Sequence, residues 1–127
     1  MITQKTGSEN AILNLDAIKN LKELCLPGTN DLVEELVILY RKTTPHKIST
    51  MRTAAKEGNL KVLIKEAHTL KSSSGDLGAN KVFSICQKIE DLQALPQKKE
   101  LSDLLDSLDD QFQAAIETLE KVVIQNG

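Results

Sequence analysis

The stretch NLKVLIKEAHTLKSSSGDLG, residues 59–78, reads as one helix with a fault along one side. Asn59 is a good N-cap residue and Gly78 a good terminator. Between them Leu60, Leu63, Ala67, Leu70, Ser74 and Leu77 recur at threes and fours, the apolar spacing of an amphipathic helix. At about 100° per residue these positions fill roughly a third of the circumference. Ser72, Ser73, Ser74 and Gly75 follow His68 and Lys71 almost at once, although each weakens a helix by about 0.5–1 kcal/mol relative to alanine.

Outward from this helix the same periodicity uses up nearly the whole chain. Leu15, Ile18, Leu21 and Leu24 form a short amphipathic helix that Asp16 helps to start and that stops at Leu26-Pro27-Gly28. Thr29 or Asn30 caps the next, with Val33, Leu36, Val37 and Tyr40 on one face. Pro45 kinks that helix, and the pattern resumes through Ile48, Met51 and Ala55 to Gly58. A fourth helix opens at Asn80, turns Val82, Ile85, Cys86, Ile89 and Leu92 inward, and is halted by Pro96. The fifth carries Leu101, Leu104, Leu105, Leu108, Phe112, Ala115, Leu119 and Val122. No strand-like alternation interrupts them. Joints of two to four residues predict antiparallel neighbours. The expected fold is therefore all-α: an up-and-down antiparallel four-helix bundle with a short additional N-terminal helix. The domain spans 11–127, behind a polar, frayed lead over 1–10.

Composition narrows the function classes. The chain has 127 residues and a net charge of −2, with 40% apolar, 27% charged and 2% aromatic residues. One domain is the expectation at this length. Tyr40, Phe83 and Phe112 are too few rings for a base-stacking platform, and the charge lacks the basic excess of a phosphate-backbone binder. No nucleic-acid partner is expected. No apolar run approaches the ~20 residues of a membrane span, and residues 1–9 are too polar for a signal peptide. Cys25 and Cys86 match no metal spacing and read as free thiols in a reducing cytoplasm. A start at Met1 with a short polar lead leans slightly toward a free-standing protein over a piece of a larger one, and a monomer is expected.

His68 lies roughly 130° from the centre of the apolar stripe, with Lys71, Ser72 and Gly75 at i+3, i+4 and i+7 on its own face. A lone histidine there is ordinarily plain surface. The serines and glycine change that, because a solvated face gains nothing from weak helix formers. Close helix packing would explain them only on the apolar stripe, where Ser74 alone lies. Metal binding lacks a second ligand at i+3 or i+4. Acyl transfer lacks a nucleophile elbow, and general acid–base work lacks a cleft. Phosphoryl transfer fits: imidazole is a good nucleophile near neutral pH. An ammonium one turn away can neutralise phosphoryl oxygens, and a bare face admits a partner's donor.

These residues resemble the histidine-containing phosphotransfer (HPt) domains of multistep phosphorelays, whose motif reads roughly H-x-L-K-G-S-S-x-x-L-G. His68, Leu70, Lys71, Ser73, Ser74, Leu77 and Gly78 match it, and Val82, Ile85, Cys86, Ile89 and Glu90 continue it. The resemblance runs over nearly the full length. It implies phosphorylation of His68 on Nε2, support of the phosphoryl group by Lys71, and response-regulator receiver domains and a hybrid sensor kinase as partners. The aspartate and Mg²⁺ would belong to the receiver, so no cofactor or metal is expected here, and the chain would be a carrier and not an enzyme. Ser72 stands where the family usually has glycine. Glu90 occupies the place, often Gln, that orients the imidazole through Nδ1; Gln87, one turn earlier, is the alternative. Ser72, Gly75 and Phe83 are candidates for contact with a docking partner, Phe83 equally for a peripheral core role. His46 and Asp76 read as solvated surface and Cys86 as core filler. Two rivals remain. A sensor-kinase dimerisation hairpin would carry an acidic residue where Thr69 stands, and a non-catalytic helical adaptor would need none of the site.

Overall fold

The computed structural model describes residues 13–24 and 31–125. Outside them lie the expectations for the 1–10 lead, for Cys25, for the Pro27-Gly28 stop and for a cap at Thr29 or Asn30. The helices are α1 (Leu15–Leu24), α2 (Asp31–Glu57), α3 (Leu60–Leu77), α4 (Asn80–Glu90) and α5 (Lys98–Leu119), the last continuing into a π-helical segment, Glu120–Gln125. No strand is present among the described residues. Each of α2 to α5 packs on its sequence neighbour, and α5 packs back on α2, which closes a four-helix bundle. The α1 helix lies against α3 and α2.

Two-residue joints make the bundle fold back on itself sharply. Gly58, at φ +71°, ends α2, and Asn59 then closes the turn by donating its N–H to Ala54 O. The Asn59 side chain also accepts from the Val62 N–H at 3.1 Å, so one residue ends α2 and starts α3. Gly78, at φ +76°, repeats the motif at the end of α3, with Ala79 N–H donating to Ser74 O. Two reversals this tight leave α2, α3 and α4 no arrangement but side-by-side and antiparallel. At the Gly78 turn α1 is attached as well, through the Asn14 N–H donating to Gly78 O.

The apolar stripes meet as expected. Leu63, Ala67, Leu70 and Leu77 of α3 and Val82, Cys86 and Ile89 of α4 are buried together with Leu105, Leu108 and Phe112 of α5. Ser74 is buried too, and its hydroxyl has a partner 34 residues away: Tyr40 Oη lies 2.7 Å from Ser74 Oγ. The Tyr40 ring meets Phe112 edge-on, centroids 5.4 Å apart. Removing either hydroxyl leaves the other buried and unpaired, at about 1–3 kcal/mol. The α2 helix runs unbroken through Pro45, which faces solvent, so water can reach the carbonyl that the missing N–H leaves free.

Two boundaries differ from the sequence reading. The cap of α1 is Asn14, whose Oδ1 accepts from the Asp16 N–H at 3.0 Å; Asp16 adds only its charge in the first turn. The α4 helix ends at Glu90, well before Pro96, and Leu92 packs on the core from the turn, its N–H donating to Ile89 O. The joint to α5 is consequently longer than the two to four residues expected. An apolar residue at helical spacing does not distinguish a last helical turn from a non-helical one lying on the same core.

Gly78→Ala is expected to destabilise the fold by on the order of 2 kcal/mol, because its β-carbon would meet the Asn14 carbonyl as well as strain the backbone. Gly58→Ala shares the backbone penalty but would meet only the Leu95 side chain at 3.7 Å, and should cost less. Urea titration of both variants checks the order. Burial, with the Glu90 carboxylate adding to it, pushes the Cys86 thiol up to about 12, and burial raises Tyr40 as well. Between the ordinary thiol value of 9.0 and about 12 the unfolded chain is the state that loses the proton. Stability should therefore fall as pH rises through that window, and fall less steeply in Cys86→Ala, as read by urea midpoints at stepped pH.

Candidate functional site

The Gly78-Ala79 joint sets the register between α3 and α4. His68 and Glu90, Lys71 and Gln87, and Gly75 and Phe83 are each equally far from Ala79 along the chain, and each pair meets in space. His68 Nδ1 lies 2.6 Å from Glu90 Oε2. Lys71 Nζ lies 2.6 Å from the other oxygen of that carboxylate and donates to Gln87 Oε1 at 3.1 Å. Gln87 Nε2 in turn donates to Asp91 Oδ1 at 3.0 Å. The result is a continuous polar chain, His68–Glu90–Lys71–Gln87–Asp91, along the α3–α4 seam.

Exposure is graded along this chain. The His68 side chain is 61% exposed, whereas Lys71 and Glu90 keep only 18% and 21%. Lys71 holds the Glu90 carboxyl below the usual carboxylate range against the penalty of burial, and His68 adds to the effect. An ionised carboxylate only accepts hydrogen bonds, so Nδ1 carries the hydrogen and donates it. In the neutral form of the ring that leaves the lone pair on Nε2, and the ring is open to solvent.

The serine run divides by direction. Ser72 is exposed, Ser73 Oγ donates to Leu70 O at 3.2 Å, and Ser74 faces Tyr40 in the core. Gly75 has a neighbour that the sequence reading did not give it. A β-carbon there would come 3.3 Å from two carbons of the Phe83 ring, closer than comfortable contact. Phe83 lies over Gly75 and within 5.8 Å of the Lys71 ammonium, with 38% of its surface exposed. On the other flank of α3, a shallow groove is lined by Leu36, Leu39 and Thr43 of α2 and by Thr69 and Ser73 of α3. Leu39 is 56% exposed there, a surface residue that sequence reasoning missed because it lies just off the α2 core stripe. His46 and Asp76 are exposed and Cys86 is buried. Among the described residues no His/Cys/Asp/Glu group is arranged to hold a metal ion, and no helix is long and apolar enough to cross a membrane.

Known proteins supply an independent comparison. Curated protein sequences give no match. Among solved structures, the chain is similar to histidine-containing phosphotransfer protein B from Pseudomonas aeruginosa. The TM-score is 0.69 at 16% identity, over 90% of this chain and 96% of that one. That likeness is one of fold. The family model of the Hpt domain matches residues 35–122, which take in α3, α4, α5 and most of α2. With the matched segment covering most of the sequence, the chain belongs to the Hpt domain family, the histidine phosphotransfer domains of phosphorelays.

Proposed function

We propose that His68 is the residue that carries the phosphoryl group, on Nε2, between aspartates of response-regulator receiver domains. The observation that carries this reading is the 2.6 Å contact between His68 Nδ1 and Glu90 on a ring that is 61% exposed. It fixes the hydrogen at Nδ1 and leaves the outward nitrogen as nucleophile. In the forward step the Nε2 lone pair attacks the phosphorus of a partner's aspartyl phosphate. A P–N bond forms, the P–O bond to the acyl group breaks, and the aspartate leaves as a carboxylate. The ring keeps its Nδ1 hydrogen and gains positive charge, which Glu90 faces. Return transfer to a second receiver reverses the sequence.

Glu90 is the orienting group in this reading, and Gln87, turned to Lys71, supports it from one turn away. Ser72 beside the imidazole is small and exposed, and the Phe83 ring lies low over Gly75, so the approach to His68 stays open. Phe83 on one flank and Leu39 on the other give a docking receiver apolar surface on both sides of the histidine. The aspartate and Mg²⁺ are the receiver's, and a hybrid sensor kinase stands upstream. The chain is then a phosphoryl carrier without catalytic activity of its own, monomeric and cytoplasmic. An adaptor reading gives no reason for an ordered ion chain ending on an exposed imidazole.

Incubation with phosphoramidate, or with a phosphorylated receiver, is expected to give an acid-labile, base-stable adduct that disappears in His68→Gln. An adduct that survives this substitution, or none in the wild type, overturns the assignment.

A further inference from the structure

Serine at position 72 is explained neither by packing nor by clearance. The residue is exposed, so it fills no core. Alanine would serve the stability of α3 better, and glycine would leave more room beside His68. What serine alone brings to the position is a hydroxyl. Of the four hydroxyls that α3 carries, the other three are engaged. Thr69 Oγ1 donates to Lys65 O at 3.0 Å, Ser73 Oγ donates to Leu70 O at 3.2 Å, and Ser74 Oγ meets Tyr40 Oη at 2.7 Å. Ser72 Oγ makes no bond to any described residue, although its spacing offers it the His68 carbonyl. The hydroxyl nearest in sequence to the imidazole on its C-terminal side, on the same face, is therefore free to donate.

Helix geometry aims it at the reacting side. Residues at i and i+4 bring their β-carbons to about 5–6 Å, and side chains on a helix lean toward its N-terminus. Ser72 thus leans over the turn that carries His68. At 100° per residue it stands about 40° round from His68, while Lys71 stands about 60° round in the other direction, toward α4. The ring is anchored on the α4 side through Nδ1 and Glu90, so Ser72 borders the open flank. We propose that Ser72 is a catalytic residue of the transfer. Its hydroxyl donates a hydrogen bond to one oxygen of the phosphoryl group as that group passes onto Nε2 of His68; this rests on the reading of His68 as acceptor. The P–N bond to Nε2 forms while the bond from phosphorus to the donor's leaving group breaks, and Ser72 keeps its hydrogen throughout. The charge of a phosphoryl group in transfer is spread over three equatorial oxygens. A hydroxyl has one hydrogen to give, so it serves one of them and leaves the rest of the face clear for the partner.

The test uses the full chain with phosphoramidate as donor and follows the rate of His68 phosphorylation in Ser72→Ala and Ser72→Gly. Loss of the hydroxyl is expected to slow both variants about fivefold, the size of one net hydrogen bond. A role in clearance alone predicts another order, with Ser72→Gly faster than the wild type and Ser72→Ala unchanged. Alanine is the better helix former, so Ser72→Ala should melt no lower than the wild type and its slower rate is not a loss of fold. Phosphorus NMR of the phosphorylated chain gives a second readout. A donor favours the more highly charged form of the phosphoryl group, so the group should titrate at higher pH in Ser72→Ala than in the wild type. A Ser72→Ala rate within about twofold of the wild type, a faster Ser72→Gly, or a titration that does not move overturns the inference and leaves His68 as acceptor. A wild type that takes up no phosphoryl group, or an adduct that survives His68→Gln, overturns the His68 reading beneath it.

Discussion

The site depends on one carboxylate shared between two partners. Glu90 reaches His68 with one oxygen and Lys71 with the other, both at 2.6 Å, and both contacts cross from α4 to α3. Such sharing tolerates little slippage, since half a turn of helix would carry Glu90 past the imidazole. The tolerance is met by the Gly78-Ala79 joint, which sets the register while it reverses the chain. Gly78 has no room for a side chain because α1 lies against it. The short N-terminal helix thus bears, through that turn, on a site it does not touch directly.

Underneath, the bundle provides a closely packed floor. Leu70, Ser74 and Leu77 on the inner side of α3 are buried, and the Tyr40–Ser74 hydrogen bond ties α2 to α3 less than two turns of helix from the histidine. Cys86, below Glu90 on α4, is kept a neutral thiol by burial and by that carboxylate. A chemically soft group next to the site is thereby kept out of its chemistry. On the proposed reading the outer side has opposite demands: it must be exposed, uncluttered and polar only at the histidine. The serines and glycine are the compromise, poor helix formers held in a helix by packing on the other side.

Much of this was legible in the sequence, for reasons that can be named. The α3 helix showed itself by a capping Asn59, a terminal Gly78 and an apolar stripe between them, all local signals. The place of His68 off that stripe followed from the same geometry. Boundaries without a local signal are not legible in this way: α4 stops at Glu90, and Leu92, in step with the stripe, packs from a turn. What one helix receives from its neighbour was also beyond reach. Gly75 looked like empty ground, yet the empty space is taken by Phe83; Ser74 looked merely inward, yet its partner is Tyr40 on another helix. The choice between Glu90 and Gln87 as contact of His68 was open in composition but written in register. Pairing residues equally far from Ala79 matches His68 with Glu90 and Lys71 with Gln87.

The central claim is that Glu90 takes Nδ1 and leaves Nε2 to react. Nitrogen-15 NMR of the phosphorylated protein, with the ring nitrogens labelled, tests it most directly through the coupling to phosphorus. Coupling at Nε2 of His68, with a hydrogen retained on Nδ1, is the predicted result. Phosphorus coupled to Nδ1, or to any nitrogen outside His68, would contradict it.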